Sequence, residues 1–128
     1  DYLQMIDAPT DNKDTQDTAI GKNINALKAL AVKCKIPIIV VSQMNREIEK
    51  RNDNYKHKLS DLRDSGVLEQ AADVVFFINR PELQGNGKGE DGESMVGIGT
   101  INILKNRNGA TGTTKFRYNT HMTRISDY

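Results

Sequence analysis

Ile36-Pro-Ile-Ile-Val-Val41 is a run of apolar, mostly β-branched residues without alternation. A helical pattern precedes it, in which apolar side chains recur at steps of three and four: Ile20, Ile24, Leu27, Leu30 or Ala31, and Cys34. An uninterrupted apolar run after a helix is typical of a strand buried on both faces, as in a parallel sheet. Pro37 is compatible with this strand because it lies near the start. We therefore predict a helix followed by a buried strand over residues 36–41.

The same order of elements is repeated further along the chain. Residues 66–72 predict a short helix, and Val74-Val-Phe-Phe-Ile78 predicts a second buried strand. Residues 100–104 and 114–118 alternate on either side of a glycine-rich turn, which predicts an antiparallel hairpin. The predicted fold is α/β, a mostly parallel sheet with flanking helices that ends in this hairpin. Residues 43–65 and 81–97 are polar, and we expect a long loop or broken helix and a surface excursion there.

Composition excludes several classes of protein. The 128 residues, 37% apolar and 27% charged, are typical of one globular domain. Cys34 is the only cysteine, so no internal disulfide can form, and a reducing compartment such as the cytoplasm fits. The longest purely aliphatic run, 38–41, is too short to span a bilayer, and we expect no membrane association. The first residue is Asp1 rather than Met, which predicts a piece of a longer protein.

Polar residues at the ends of the predicted strands are candidates for ligand binding, because ligands of open parallel sheets lie beyond the carboxyl ends of the strands. Asp1 would end a strand if an apolar run preceded it, and its carboxylate could hold Mg²⁺ through the ion's water shell. Gln43 follows the first predicted strand, and its amide could sense a terminal phosphate or orient a water molecule. Equally, Gln43 could be an ordinary polar residue where the chain leaves a strand.

Lys105 and Arg107 lie where the third predicted strand passes into the glycine-rich turn. On an extended chain their spacing of two residues directs both side chains to one face. A lysine as a point charge and an arginine as a planar two-pronged donor together suit a phosphate. Taken alone, this segment also fits a solvated hairpin with basic residues near its tip.

A second candidate anion site lies in Leu59-Ser-Asp-Leu-Arg-Asp-Ser-Gly66, which leads into the short predicted helix. Asp64 or Ser65 can cap that helix, and Gly66 has no side chain to cover the N–H groups of its first turn. With Arg63 adjacent, a nucleic-acid phosphate would fit. The alternative is a capped helix with a surface arginine. No phosphate-binding loop of the G-x-x-x-x-G-K-[ST] type occurs in the chain.

Four segments taken together resemble the C-terminal RecA-like motor domain of DnaB-type replicative DNA helicases. They are DYLQ at 1–4, VSQMNR at 41–46, LSDLRDSGVLEQAADVV at 59–75 and KNRNGATG at 105–112. Their order and spacing are similar to those of the family over nearly the whole chain. The resemblance covers the second half of that domain, without the phosphate-binding loop and the catalytic glutamate.

The resemblance implies a role for individual residues in ATP binding and hydrolysis. Asp1 matches the Walker B aspartate that helps to hold Mg²⁺, and Gln43 matches the polar sensor that links the γ-phosphate to the DNA-binding loops. Lys105 and Arg107 match a pair that enters the ATP site of the neighbouring subunit, where Arg107 would be the arginine finger. Ala110 stands where the family usually has proline.

The resemblance also implies partners. Arg63, Asp64 and Gly66 match a loop that contacts the backbone of single-stranded DNA, with Asp64 in place of the commoner glutamate. A finger supplied by a neighbour implies a ring, a homohexamer in this family, and the implied partners are single-stranded DNA, primase and a helicase loader. Two alternatives stay open at this point: another RecA-like ATPase of the recombinase or clock type, and a non-enzymatic module that binds phosphate or nucleic acid.

Overall fold

The computed structural model of the chain describes residues 2–7, 16–45, 48, 57–62, 65–84, 92–119 and 124–128. Its regular elements are the helices α1 (Gln16–Cys34) and α2 (Ser65–Ala71) and the strands β1 (Val74–Asn79), β2 (Ile98–Asn106), β3 (Gly112–Asn119) and β4 (Arg124–Asp127), with short 3-10 turns at Leu3–Met5, Leu59–Asp61 and Pro81–Gln84. They form two compact units, Asp1–Ala72 and Asp73–Tyr128. Among the described residues, no helix is both long enough and apolar enough to cross a membrane.

The first unit is built on the apolar stripe of α1. Ile20 and Ile24 are one helical turn apart, and they pack with Leu3 and Leu68 in a buried core. The predicted helices are both confirmed, because α1 follows the three- and four-residue pattern and α2 covers the predicted short helix. The core therefore fixes the Leu3–Met5 turn against the two helices.

Helix α1 ends in a left-handed residue. Lys35 has φ of 53°, and Ile36 N–H donates to Ala31 C=O at 3.1 Å, which is the Schellman pattern of helix termination. Pro37 follows immediately and cannot continue the helix. The chain is thereby redirected into residues 36–43.

Residues 36–43 have no regular secondary structure, so the strand predicted over 36–41 is not observed. Ile36, Ile39 and Val41 expose 50%, 82% and 60% of their surface, which also contradicts the predicted burial on both faces. The physical reason is that a strand requires a hydrogen-bonded neighbour along its length. Here, among the backbone bonds of the described residues outside helices and strands, one bond links this segment to a neighbour other than α1, from Leu3 N–H to Val41 C=O at 2.8 Å.

The second unit is a four-stranded antiparallel sheet with the strand order β1-β2-β3-β4. The predicted hairpin is confirmed, since β2 pairs with β3 from Ile98↔Arg117 to Ile103↔Gly112. Parallel pairing, which we expected from the two apolar runs, is absent from the sheet of the described residues. Strand β1 is confirmed, but it is buried on one face, because its burial alternates strictly along the strand.

Candidate functional site

In the first unit, the side chain of Gln4 holds the start of the segment that contains Gln43. Gln4 Nε2 donates to Ser42 Oγ at 3.0 Å, and Gln4 Oε1 accepts from Gln43 N–H at 3.4 Å. Leu3, the most deeply buried residue of the core, donates its N–H to Val41. The backbone of Gln43 is therefore held against a turn that the core fixes, while its side chain is exposed.

The other end of this segment is tied to residues 57–62. Met44 forms an isolated antiparallel bridge with Leu62, and Asn45 N–H donates to Asp61 C=O at 2.8 Å. Asp61 is buried, and its Oδ2 accepts from Lys58 N–H at 2.7 Å, which closes the Leu59–Asp61 turn. Residues 41–45, which we call the Gln43 segment, are thus hydrogen-bonded to neighbours on both sides.

In the second unit, strand β2 continues beyond its hairpin partner. Its pairing with β3 ends at Ile103, whereas its pairing with β1 continues through Val75↔Lys105 and Val74↔Asn106. The register of β1 and β2 shifts between Val75 and Phe76, which leaves Leu104 as an extra residue on β2. One extra residue reverses the alternation of side chains between the two faces of β2. Lys105 therefore pairs with the buried Val75 and does not share the face of Ile103.

Arg107 is the first residue after β2, and Asp73 is the residue before β1. Arg107 N–H donates to the Asp73 carbonyl oxygen at 2.8 Å, and Arg107 Nη1 lies 3.1 Å from Asp73 Oδ1. The exposed fractions of the two side chains are 51% and 50%. Since Lys105 lies within the strand and Arg107 in the turn, the alternation of an extended chain does not apply to Arg107, and the predicted common face is not established.

The remainder of this turn is closed by Asn106. Its Nδ2 donates to Ala110 C=O at 3.2 Å. A Cβ at Gly109 would lie only 2.6 Å from Asn106 Nδ2, so a larger residue there would have to displace the Asn106 side chain. Residues 107–111, which we call the Arg107 turn, therefore project past β3 from a base held by β1.

A separate polar network lies at the opposite end of β2. Glu82 Oε2 accepts from Gly97 N–H at 2.7 Å and from Tyr118 Oη–H at 2.8 Å. These two donors stabilise the carboxylate and lower the pKa of Glu82 below its ordinary value of 4.5. The guanidinium of Arg80 lies 3.9 Å from the centre of the Tyr118 ring, a cation–π contact.

Of the four remaining predicted site residues, the structure describes only Gly66. Asp1, Arg63 and Asp64 lie outside the described residues. Gly66 lies in the first turn of α2, exposed, with no atom within 4 Å of the position of a Cβ. Within the described ranges, no group of three or more His, Cys, Asp or Glu side chains could hold a metal ion.

Sequence reasoning missed three residues that organise these sites: Gln4, Asp61 and Asp73. Each lies inside a segment that carried the resemblance, DYLQ or LSDLRDSGVLEQAADVV. The signal was therefore present as part of a motif. The side-chain partners of Gln4 and Asp73 are remote along the chain and could be found only in the structure, whereas the Asp61 side chain accepts from Lys58 N–H, three residues before it.

Comparison with known proteins identifies the family. The family model for the DnaB-like helicase C terminal domain matches residues 1–127. The chain belongs to this family. The replicative DNA helicase DnaB of Buchnera aphidicola subsp. Baizongia pistaciae is 42% identical to this DnaB-like domain over 130 residues. The corresponding protein of Haemophilus influenzae is 38% identical over 129 residues. The chain covers 26% of each of these relatives, about a quarter of their length, while the alignments include 100% and 99% of the chain.

Solved structures agree with this assignment. A DnaB-like replicative helicase, reported with its interactions with primase, matches the DnaB-like chain with a TM-score of 0.86 and 30% identity, over 100% of this chain and 29% of that one. A solved ATPase domain gives a TM-score of 0.86 at 29% identity, over 100% of this chain and 43% of that one. The RecA-like fold class predicted from the sequence is therefore confirmed, and the antiparallel sheet is part of that domain.

Proposed function

We propose that this DnaB-like chain is the C-terminal part of the motor domain of a hexameric replicative DNA helicase. The whole protein would couple ATP hydrolysis to translocation on single-stranded DNA and to unwinding of the duplex. The observation that carries the proposal is the family match over residues 1–127, because it includes every motif segment in order. This match favours a helicase over a recombinase-type ATPase or a non-enzymatic module.

In this proposal Arg107 is an arginine finger that acts on the nucleotide of the neighbouring subunit. Its position supports the role, because the Arg107 turn projects beyond β3 and half of the side chain is exposed. A guanidinium stabilises the charge that develops on the transferred phosphoryl group, and fingers of this kind contribute on the order of 10³–10⁵ in rate. Lys105, at the base of the turn, would add a second positive charge near the phosphates.

Gln43 would sense the γ-phosphate and transmit its loss to the DNA-binding residues. The exposed side chain suits contact with a ligand, and the backbone bonds to Asp61 and Leu62 suit transmission. Leu62 directly precedes Arg63, which with Asp64 and Gly66 would contact the DNA backbone. A displacement of Gln43 would therefore reach the DNA-binding residues through two backbone links. Contacts to phosphates without base readout permit movement along any sequence.

Further ligands and partners follow from the same proposal. Asp1 would help to hold Mg²⁺, which when bound with ATP neutralises charge between its phosphates. Primase is proposed as a partner because the structure of a relative at 30% identity was reported together with its interactions with primase. A helicase loader is proposed on the family resemblance.

The proposal is tested by substituting Arg107 in the full-length protein. Arg107→Ala should reduce the hydrolysis rate about 10³-fold or more, because the transition state loses its stabilising charge. The affinity for a non-hydrolysable nucleotide should change little, since the finger acts mainly in the transition state. Steady-state hydrolysis and nucleotide titration measure the two quantities.

A matched control is Arg117→Ala, which removes an exposed arginine of β3 whose guanidinium lies 5.4 Å from the centre of the Tyr128 ring. This variant should retain hydrolysis. An equal loss of hydrolysis and of nucleotide affinity in Arg107→Ala would contradict a finger role.

A further inference from the structure

Asp73 and Arg107 contact each other both through the backbone and through their side chains. They directly adjoin the Val74↔Asn106 pair, with Asp73 before β1 and Arg107 after β2, so the ion pair lies at the end of the β1–β2 pairing. The backbone bond fixes the base of the Arg107 turn, and the carboxylate additionally restrains the guanidinium. The backbone bond uses a carbonyl that every residue at position 73 would carry, so the side chain has a separate role.

The exposure of the Asp73–Arg107 ion pair indicates what the Asp73 side chain does. An ion pair between two half-exposed side chains contributes little to stability, because water and salt screen it. For the same reason it is too weak to keep the guanidinium from a triphosphate, which carries several negative charges. A lock that withholds Arg107 is therefore disfavoured.

Restraint of the side chain is the remaining effect. Arginine has many rotamers, and binding a phosphate in one geometry costs the entropy of the others. A carboxylate 3.1 Å from Nη1 already limits these rotamers before any phosphate arrives. Preorganisation of this kind speeds a reaction because less freedom is lost on the way to the transition state.

We propose that Asp73 is a positioning residue for Arg107, which presets the guanidinium for the nucleotide phosphates held by a neighbouring subunit. This inference rests on the function proposed above. It adds a residue of the same chain to the machinery of hydrolysis, although Asp73 itself touches no reacting atom.

The test is steady-state ATP hydrolysis by the full-length hexamer with saturating single-stranded DNA. Asp73→Asn, which retains the volume but removes the charge, should lower kcat by about threefold to fivefold, the limit set by a half-exposed ion pair, with KM for ATP within about twofold, because only the transition-state contact is disturbed. Asp73→Glu should recover most of the rate. Thermal unfolding should be the same for both variants and the parent protein.

Glu93→Gln is a matched control, because Glu93 Oε2 forms a looser pair, 4.0 Å from Lys115 Nζ, on an exposed part of the same unit. It should leave kcat unchanged. An unchanged kcat in Asp73→Asn would overturn the proposal, and so would an equal loss in Glu93→Gln, which would indicate a general effect of charge.

A double substitution separates positioning from a structural role. In single-turnover measurements, adding Asp73→Asn to Arg107→Gln should cost less than about twofold, because there is no guanidinium left to position. A further loss as large as that caused by Asp73→Asn alone would refute positioning. If Arg107→Gln alone leaves hydrolysis intact, the finger role itself fails. If Arg107→Gln removes hydrolysis and Asp73→Asn does not lower it, only the present inference fails.

Discussion

The Gln43 segment and the Arg107 turn are held in different ways. The Gln43 segment is hydrogen-bonded on both sides, to Leu3 and Gln4 near its start and to Asp61 and Leu62 near its end. The Arg107 turn is held at its base, by β1 and by Asp73, and closes on itself through Asn106.

This difference corresponds to the two proposed roles. A segment tied on both sides moves together with its neighbours, as is required of an element that transmits a signal. A turn held at its base can present its side chain outward, as is required of a group that acts on another subunit. Two substitutions test this contrast, and a third, at the other end of β2, is the reference for a change outside the Arg107 turn. We take them in order of expected effect.

Gln4→Ala should have the largest effect, because it removes both side-chain links to Ser42 and Gln43. If those links position the sensor, kcat for DNA-stimulated hydrolysis in the full-length protein should fall about tenfold or more. Stability should fall by only about 1 kcal/mol, as for loss of ordinary hydrogen bonds. Hydrolysis assays with and without single-stranded DNA, and urea denaturation, measure these effects.

Asn23→Ala is the control for this substitution. It also removes a side-chain hydrogen bond of the first unit, from Asn23 Nδ2 to Ile6 C=O at 2.9 Å. A similar loss of DNA stimulation in both variants would mean that the contacts of Gln4 have no special relation to Gln43.

Gly109→Ala should have an intermediate effect, since the new Cβ would collide with the Asn106 side chain and displace it from Ala110. Displacing one flexible side chain should cost about 1 kcal/mol of stability. The turn would be disturbed beyond its fixed base, so kcat should fall only about threefold. Gly112→Ala, where a Cβ meets no atom within 4 Å, is the control and should have the parent rate. If Gly109→Ala lowered kcat as much as Arg107→Ala does, the base of the turn would not be what fixes Arg107.

Glu82→Gln should have the smallest effect and should leave hydrolysis unchanged, because Glu82 acts at the far end of β2. The folded-state pKa of Glu82 is lowered, so its contribution to stability is fully present above the ordinary value of 4.5 and is lost as pH falls through the lower folded value. Glu82→Gln should therefore flatten the decline of stability with acid below about pH 4.5. Unfolding measured across pH 3–7 checks this, with Tyr118→Phe expected to weaken the same dependence. If Glu82→Gln left the decline of stability below about pH 4.5 unchanged, the lowered pKa of Glu82 would be contradicted.

The fold could be predicted where the sequence pattern is local. The helical spacing of Ile20 and Ile24, and the alternation on both sides of the turn, predicted α1 and the hairpin correctly. The runs at 36–41 and 74–78 have the same pattern, yet only the second is a sheet strand. The difference is the neighbour, because β1 pairs with β2 along its length and 36–41 has no such partner among the described residues. Pairing of this kind is not encoded within the run itself.

For the candidate site, the sequence supplied residues but not their partners. Lys105 and Arg107 were proposed from charge and spacing, and both lie at the β2 end as expected. Their separation by the strand end, and the bulge before Lys105, depend on register with β1 and could not be predicted from β2 alone. Asp73 pairs with Arg107 across 34 positions of sequence, so neither motif by itself contains the contact.

The continuation of β2 past its hairpin partner has a consequence for sequence variation. Because Arg107 is attached to the residue before β1, its location does not depend on how the chain returns to β3. Insertions or deletions between Asn108 and Thr111 should therefore leave the backbone of Arg107 bonded to Asp73. Ala110, where the family resemblance leads us to expect proline, lies in this part of the turn, so the return path can be less rigid while the backbone of Arg107 stays bonded to Asp73.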